Sequence, residues 1–195
     1  PKISDIILTA ADSIHLFDTP LLLTRNQGLS IDQNFFKRFF DIVLSLIAIV
    51  IASPVMLIIA LSIKLYDRGP VLYRQERLTR NGTPFMILKF RSMSMDSEKD
   101  GARLAMKDDK RVTPVGKVIR RIHFDELPQI FNILMGDMSF VGPRPERREI
   151  HDQYCEKIPE FDFRLKVKAG LTGYAQVYGK YNTTPYDKLK LDLTY

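Results

Sequence analysis

The chain has 195 residues, a formal net charge of +6 and a single cysteine, Cys155. That length holds one moderate domain with a real core; the lone cysteine excludes an intramolecular disulfide and argues against a cysteine-based zinc site. The histidines, His15, His123 and His151, stand at no metal-ligand spacing in the sequence, and the basic balance suits anionic partners: nucleic acid, phospholipid headgroups or phosphorylated substrates.

Residues 1–34 read as the tail of a preceding domain plus a linker that ends near Ser30–Asp32. The chain opens at Pro1 without a methionine, ISDIILTAADSI is amphipathic and TPLLLTRN suits a short strand. No signal peptide is expected, because the first long apolar run begins too late. Residues 35–66 form the next piece. NFFKRFFD interleaves Phe35, Phe36, Phe39 and Phe40 with Lys37, Arg38 and Asp41. It suits a helix lying in a membrane interface, or the first turns of the helix that follows.

From Ile42 to Ile63 no charge occurs. As a helix this run reaches roughly 33 Å, against about 30 Å for a bilayer core. Two features argue against a plain span. Ser53-Pro54 sits mid-run, where a proline kinks a helix and the Ser53 hydroxyl can serve the carbonyls it frees. Lys37 and Arg38 precede the run, and Lys64, Arg68, Arg74 and Arg77 follow it. Basic residues favour the cytoplasmic side, so a re-entrant helix broken at Ser53-Pro54 satisfies the pattern best. A straight span and a buried core helix are the alternatives.

Residues 67–195 are expected to be a small cytosolic domain at the membrane surface, α/β and mostly helical. Asp67-Arg68-Gly69-Pro70 reads as a turn, VLYRQERL and PFMILKFRSM as strands, and Asn81-Gly82 as the hairpin turn between them. A mobile polar loop is expected over residues 94–110. Then come a short basic helix in VGKVIRRI, a helix in ELPQIFNILMG ended by Gly136, and a charged helix in PERREIHDQYCEKIP. KAGLTGYAQVYGK reads as a glycine-rich loop over a site. The alternating run stops at Tyr195, which suggests a cut C-terminus.

The densest chemistry is in HFDELPQIFNILMGDMSFVGPRPE, residues 123–146. Asp125 and Glu126 are expected at a helix start, with Asp125 as the cap and Glu126 in the first turn. Pro128 fits there, since proline is tolerated in a first turn. Backbone N–H groups at such a place favour a carboxylate or a phosphate, although from local pattern alone a plain helix cap, being common, is the stronger explanation of the pair. Lys89 and Arg91 share one face of a strand end, with Phe90 opposite. Arg120 and Arg121 precede His123. Arg144 stands between Pro143 and Pro145, which stiffen its backbone. In GLTG, Gly170 and Gly173 can admit a close ligand, and Thr172 and Gln176 can hydrogen-bond to it.

Taken together and in this order, FKRFFDI, ASPVMLI, GPVLYRQER, LKFRSM, the 123–146 run and AGLTGYAQVYG resemble the bacterial sugar transferases. These are the monotopic phosphoglycosyl transferases that act on a polyprenol carrier. The resemblance covers about residues 35–180. It implies a UDP-sugar donor, probed first as glucose or galactose, and an undecaprenyl phosphate acceptor. It implies Mg²⁺ near Asp125 and Glu126, with Asp125 as the nucleophile that forms a covalent phosphosugar and releases UMP, and Glu126 as its partner. Lys89, Arg120 and Arg144 match positions associated with phosphates. Arg91, Gln129, Lys168, Thr172 and Gln176 complete the substrate-binding candidates. At KAGLTG the family more often has Arg-Pro-Gly, so Lys168 stands as a point charge without the bidentate fork.

The resemblance also implies the bacterial inner membrane with a cytoplasm-facing domain, a role in exopolysaccharide or capsule assembly, contact with membrane lipid, a homodimer as in larger relatives, and no nucleic-acid partner. Two rivals remain at this point. One is a glycosyltransferase that moves the sugar alone and releases UDP. The other is a membrane-anchored nucleic-acid or polyphosphate binder without catalysis.

Overall fold

The computed structural model describes residues 12–16, 19–23, 30–94, 109, 111–179 and 183–194. Most of the expected 94–110 loop lies outside the described residues. By compactness the chain forms two units, one from Pro1–Asp41, Arg77–Phe85 and Gly136–Tyr195 and the other from Ile42–Glu76 and Met86–Met135. The fold is mostly helical with small sheets, as expected.

The first unit opens with an antiparallel pair, β1 (Asp12–Leu16) and β2 (Thr19–Leu23), in the register Asp12↔Leu23. The strand expected in TPLLLTRN is β2. Helix α1 then runs without interruption from Ile31 to Asp67. NFFKRFFD is therefore its first turns and not a separate interfacial helix. The helical run also passes through Ser53-Pro54, where a break was expected. Pro54 has no N–H to offer Val50, four residues back. The Ser53 hydroxyl donates to that same Val50 carbonyl at 2.9 Å. The freed acceptor is satisfied inside the helix, and the helix continues through the proline.

Within the second unit, one stripe of α1 meets a core. Val55, Met56, Ile59, Ala60 and Ile63 pack with Val71, Phe90, Val115, Ile119, Phe124 and Leu127. Their spacing is one face of a helix. Much of the rest of α1 faces outward: Val50 is 73% exposed, Ile51 71% and Leu65 81%. A buried core helix is thereby excluded. Among the described residues, α1 is the one helix long and apolar enough to cross a membrane, and it points to membrane association.

Strands β3 (Leu72–Leu78) and β4 (Pro84–Phe90) form a two-stranded sheet. Asn81 (φ 58°) and Gly82 (φ 70°) both take positive φ in the connecting turn, as an Asn-Gly hairpin requires. Helix α2 (Pro114–Arg121) starts at Thr113, whose hydroxyl accepts the Gly116 N–H at 2.9 Å. It lies so close to the preceding chain that a Cβ on Gly116 would sit 1.9 Å from the Ser92 carbonyl oxygen. Helix α3 (Gln129–Met135) stops at Gly136, φ 101°.

The first unit resumes with β5 (Ser139–Val141), α4 (Arg148–Lys157), a 3-10 segment (Pro159–Lys166), β6 (Gly170–Thr172), α5 (Tyr174–Tyr178) and α6 (Pro185–Leu193). Phe161 and Leu189 are fully buried against Tyr154, Cys155, Ile158 and Leu193. Asp41, in α1, accepts from the Ser139 hydroxyl at 3.1 Å and the Phe140 N–H at 3.2 Å. β5 and β6 are parallel, in the register Ser139↔Gly170 and Val141↔Thr172.

That pairing corrects the reading of GLTG as a loop over a site. A Cβ on Gly170 would lie 2.1 Å from the Gly142 nitrogen, and one on Gly173 2.3 Å from the Gly142 oxygen. The glycines admit a second backbone.

Candidate active site

Asp125 and Glu126 lie on a single 3-10 turn, Phe124–Glu126, and not at the start of α3. The expected cap at Asp125 is thus corrected. Pro128 cannot donate, so helical bonding does not continue through it, and α3 begins one residue later. The 3-10 turn is capped by His123 in the left-handed region, φ 58° and ψ 21°. A non-glycine residue there costs about 1–2 kcal/mol, and strain of this kind gathers at functional sites.

β4 brings Lys89 to this turn. Its ammonium donates to Glu126 Oε1 at 2.8 Å, with both side chains largely buried. Asn132 of α3 fixes β4 in turn. Its Oδ1 accepts the Leu88 N–H at 2.9 Å, and its Nδ2 donates to the Met86 carbonyl at 2.9 Å. Asn132 is fully buried and was not singled out in the sequence. The available signal was one amide in the otherwise apolar run IFNILM.

Burial pushes the Asp125 carboxyl above its ordinary range; Lys89 opposes this, the neighbouring Glu126 charge adds to it, and Arg120 opposes it. Gln129 is buried, and its Nε2 has no partner among the described residues. Arg91 is placed differently from Lys89. It follows the end of β4, is buried, and its guanidinium pairs with Asp67 under the turn at Gly69. Lys89, Arg120, Asp125, Glu126, Gln129 and Arg91 all belong to the second unit.

Arg144, Lys168, Thr172 and Gln176 belong to the first. The Pro-Arg-Pro-Glu segment offers few donors, and each of its carbonyls is taken. Pro143 accepts from Gly170 N–H at 2.9 Å, Arg144 from Arg164 Nη2 at 2.8 Å, Pro145 from Arg77 Nη1 at 3.2 Å and Glu146 from Leu78 N–H at 3.1 Å. Four anchored carbonyls hold the backbone of Arg144 rigidly.

Glu146 gathers Lys188, Arg77 and Arg164. Burial works against its charge, yet these cations hold its carboxyl below the ordinary range. Arg164 also pairs with Asp192 at 2.8 Å, both buried. There burial outweighs the arginine, and the Asp192 carboxyl is pushed up. Arg164 and Glu146 are structural residues that local pattern did not reveal.

Lys168 is held below its ordinary range by burial and by Arg38, with Asp41 opposing, Arg80 adding and Asp137 opposing. It therefore lies in a mixed group of charges with Arg38, Asp41, Arg80 and Asp137. Thr172 is exposed on β6. Both polar ends of Gln176 are buried without a partner among the described residues.

The profile of the family described as "Bacterial sugar transferase" matches residues 32–195, and the chain belongs to that family. It is 50% identical over 147 residues to an Aeromonas hydrophila protein named UDP-N-acetylgalactosamine-undecaprenyl-phosphate N-acetylgalactosaminephosphotransferase, covering 75% of this chain and 35% of that protein. It is 40% identical over 183 residues to a Klebsiella pneumoniae UDP-glucose:undecaprenyl-phosphate glucose-1-phosphate transferase, covering 93% and 38%. A Bacillus subtilis protein named as a putative undecaprenyl-phosphate N-acetylgalactosaminyl 1-phosphate transferase is 48% identical over 129 residues, covering 66% and 72%. The chain thus spans little more than a third of the two longer relatives.

Proposed function

We propose that this chain transfers a sugar 1-phosphate from a UDP-sugar to undecaprenyl phosphate through a covalent intermediate on Asp125. The observation that carries this reading is the Asp125 carboxyl, partly buried on a strained turn among Lys89, Arg120 and Glu126. A positioned carboxylate is a competent covalent nucleophile. An Asp125 oxygen attacks the sugar-bearing phosphorus, the bond to the uridylyl oxygen breaks, and UMP leaves. An oxygen of undecaprenyl phosphate then attacks the same phosphorus and expels the Asp125 carboxylate. The product is undecaprenyl diphosphate sugar.

Both steps depend on holding anions in place and offsetting their charge. Lys89 fixes Glu126 beside Asp125 and supplies positive charge, and Arg120 adds to it. Arg144, on a rigidly held backbone, and Lys168 are kept as proposed phosphate-binding residues, as the family resemblance implies. The carboxylate pair fits Mg²⁺: its donors are hard oxygens, and the Glu126 charge raises Asp125, a repulsion that a cation relieves. Bound there, Mg²⁺ supplies charge neutralisation at the transferring phosphoryl group. Asp125 and Glu126 would hold it.

We place α1 in the cytoplasmic membrane as a re-entrant helix with both basic ends on the cytoplasmic side, where a soluble nucleotide sugar and a lipid phosphate can meet. The satisfied Val50 carbonyl supports a bend in a medium without water. The larger pathway role, assembly of a surface polysaccharide, is proposed with it.

The test is the released nucleotide. Protein in nanodiscs is incubated with Mg²⁺, undecaprenyl phosphate and, in turn, UDP-N-acetylgalactosamine, UDP-glucose and UDP-galactose. UMP with one donor is the expected result and names the sugar. UDP would mean that the sugar alone moves and would remove the role of Asp125.

A further inference from the structure

We propose that His151, Cys155 and Asp162 form a binding site for one borderline-soft divalent cation, zinc by its ligand chemistry. Helix α4 carries His151 and Cys155 four residues apart, which puts them on one face. The helix ends where the Ile158 N–H bonds the Tyr154 carbonyl at 2.8 Å. The 3-10 segment Pro159–Lys166 then turns back and returns Asp162 to His151. In the sequence the three residues look unrelated, and the turn brings them together.

The spacing suits a tetrahedral ion. Ligands at about 2.0–2.2 Å (N, O) and about 2.3 Å (S) from zinc are roughly 3.4–3.6 Å from one another. His151 Nε2 lies 3.3 Å from Cys155 Sγ and 3.4 Å from Asp162 Oδ1. All three ligand atoms fall within 4.8 Å of one another. The Asp162 side chain is 70% exposed, the least confined of the three.

His151 is the fixed member: it is buried, with the Phe161 ring 5.8 Å away, and its Nε2 is directed at the other two ligands. The exposed side of Asp162 leaves room for water as a fourth ligand. His151 Nδ1 is buried without a partner among the described residues. It lacks the outer hydrogen bond that strengthens metal-bound histidines, which sets the affinity below that of a full structural zinc site.

On binding, the Sγ–H proton passes to solvent as the metal–sulfur bond forms, and neutral His151 keeps its Nδ1 proton. A sulfur, nitrogen and oxygen set selects zinc over magnesium. The bound ion would join α4 to the segment that carries Arg164, whose Nη2 holds the Arg144 carbonyl.

The test uses the whole chain, stripped with a chelator and titrated with Co²⁺ and then Zn²⁺. One equivalent of Co²⁺ should give a near-ultraviolet thiolate charge-transfer band that Zn²⁺ removes and excess Mg²⁺ does not. Cys155→Ser should abolish the band. Asp162→Asn, at an exposed position that does not threaten folding, should weaken Zn²⁺ by roughly tenfold or more. Absence of the band, or Zn²⁺ binding unchanged in both variants, overturns the proposal. No readout depends on sugar transfer, so this site and the proposed function fail separately.

Discussion

Replacing Asn132 by alanine removes both hydrogen bonds that tie α3 to β4. Two groups lose their partner, the Leu88 N–H and the Met86 carbonyl. A buried polar group without a partner costs about 1–3 kcal/mol. Met86 is 49% exposed, so water can replace the amide at its carbonyl, and that loss falls at the low end. Leu88 is less open, and its N–H carries most of the cost. Together with the space left by a fully buried side chain, the expected destabilisation is about 2–4 kcal/mol.

For a chain of this length that lowers the melting midpoint by roughly 5–15 °C. Because β4 also delivers Lys89 to Glu126, phosphosugar transfer measured well below the midpoint should fall as well, and by more than the unfolded fraction explains. Thermal melts paired with UMP release at low temperature make the measurement. A midpoint within about 2 °C of the parent, with full activity, would refute the claim that Asn132 sets the position of Lys89.

Asp125→Asn should abolish UMP release yet raise stability at neutral pH. The folded carboxyl titrates above its ordinary value, so its charge penalises the fold above the folded pKa; the penalty is gone below the unfolded one. The gain over the parent should therefore shrink as the pH is lowered through that window in paired melts. Glu146 has the opposite sign. Its folded pKa is lowered from 4.5, so the stability it lends is full above the unfolded value and is lost as the pH falls through the folded one. Glu146→Gln should flatten the acid limb of stability against pH. Arg164→Ala leaves Asp192 buried without its cation and should cost about 3–5 kcal/mol by chemical denaturation. Gly170→Ala should break the β5–β6 pairing, since the new methyl meets the Gly142 nitrogen at 2.1 Å; near-normal expression and melting would contradict that.

What the sequence made legible is what local chemistry dictates. The uncharged run from Ile42 to Ile63, the short basic helix in VGKVIRRI, the Asn81-Gly82 turn and the stop at Gly136 each follow from residues close in the chain. The acidic pair was also visible, but its backbone was not. Pro128 was read as part of the helix, whereas it marks the place where the helix cannot yet begin. Long-range pairing stayed hidden. Nothing near Gly170 announces Gly142, and nothing near Arg91 announces the burial of its guanidinium against Asp67. His151, Cys155 and Asp162 become neighbours only because the chain reverses after Ile158.

Asp41 carries an implication for how the chain is made. Its carboxylate sits at the edge of the most apolar run, and the groups that satisfy it, Ser139 and Phe140, are 98 and 99 residues further on. At about 5–20 residues per second, synthesis leaves that acid waiting roughly 5–20 s for its donors. During this interval the apolar helix has emerged while β5 has not. An acid at this position favours water at the end of the helix until its partners arrive.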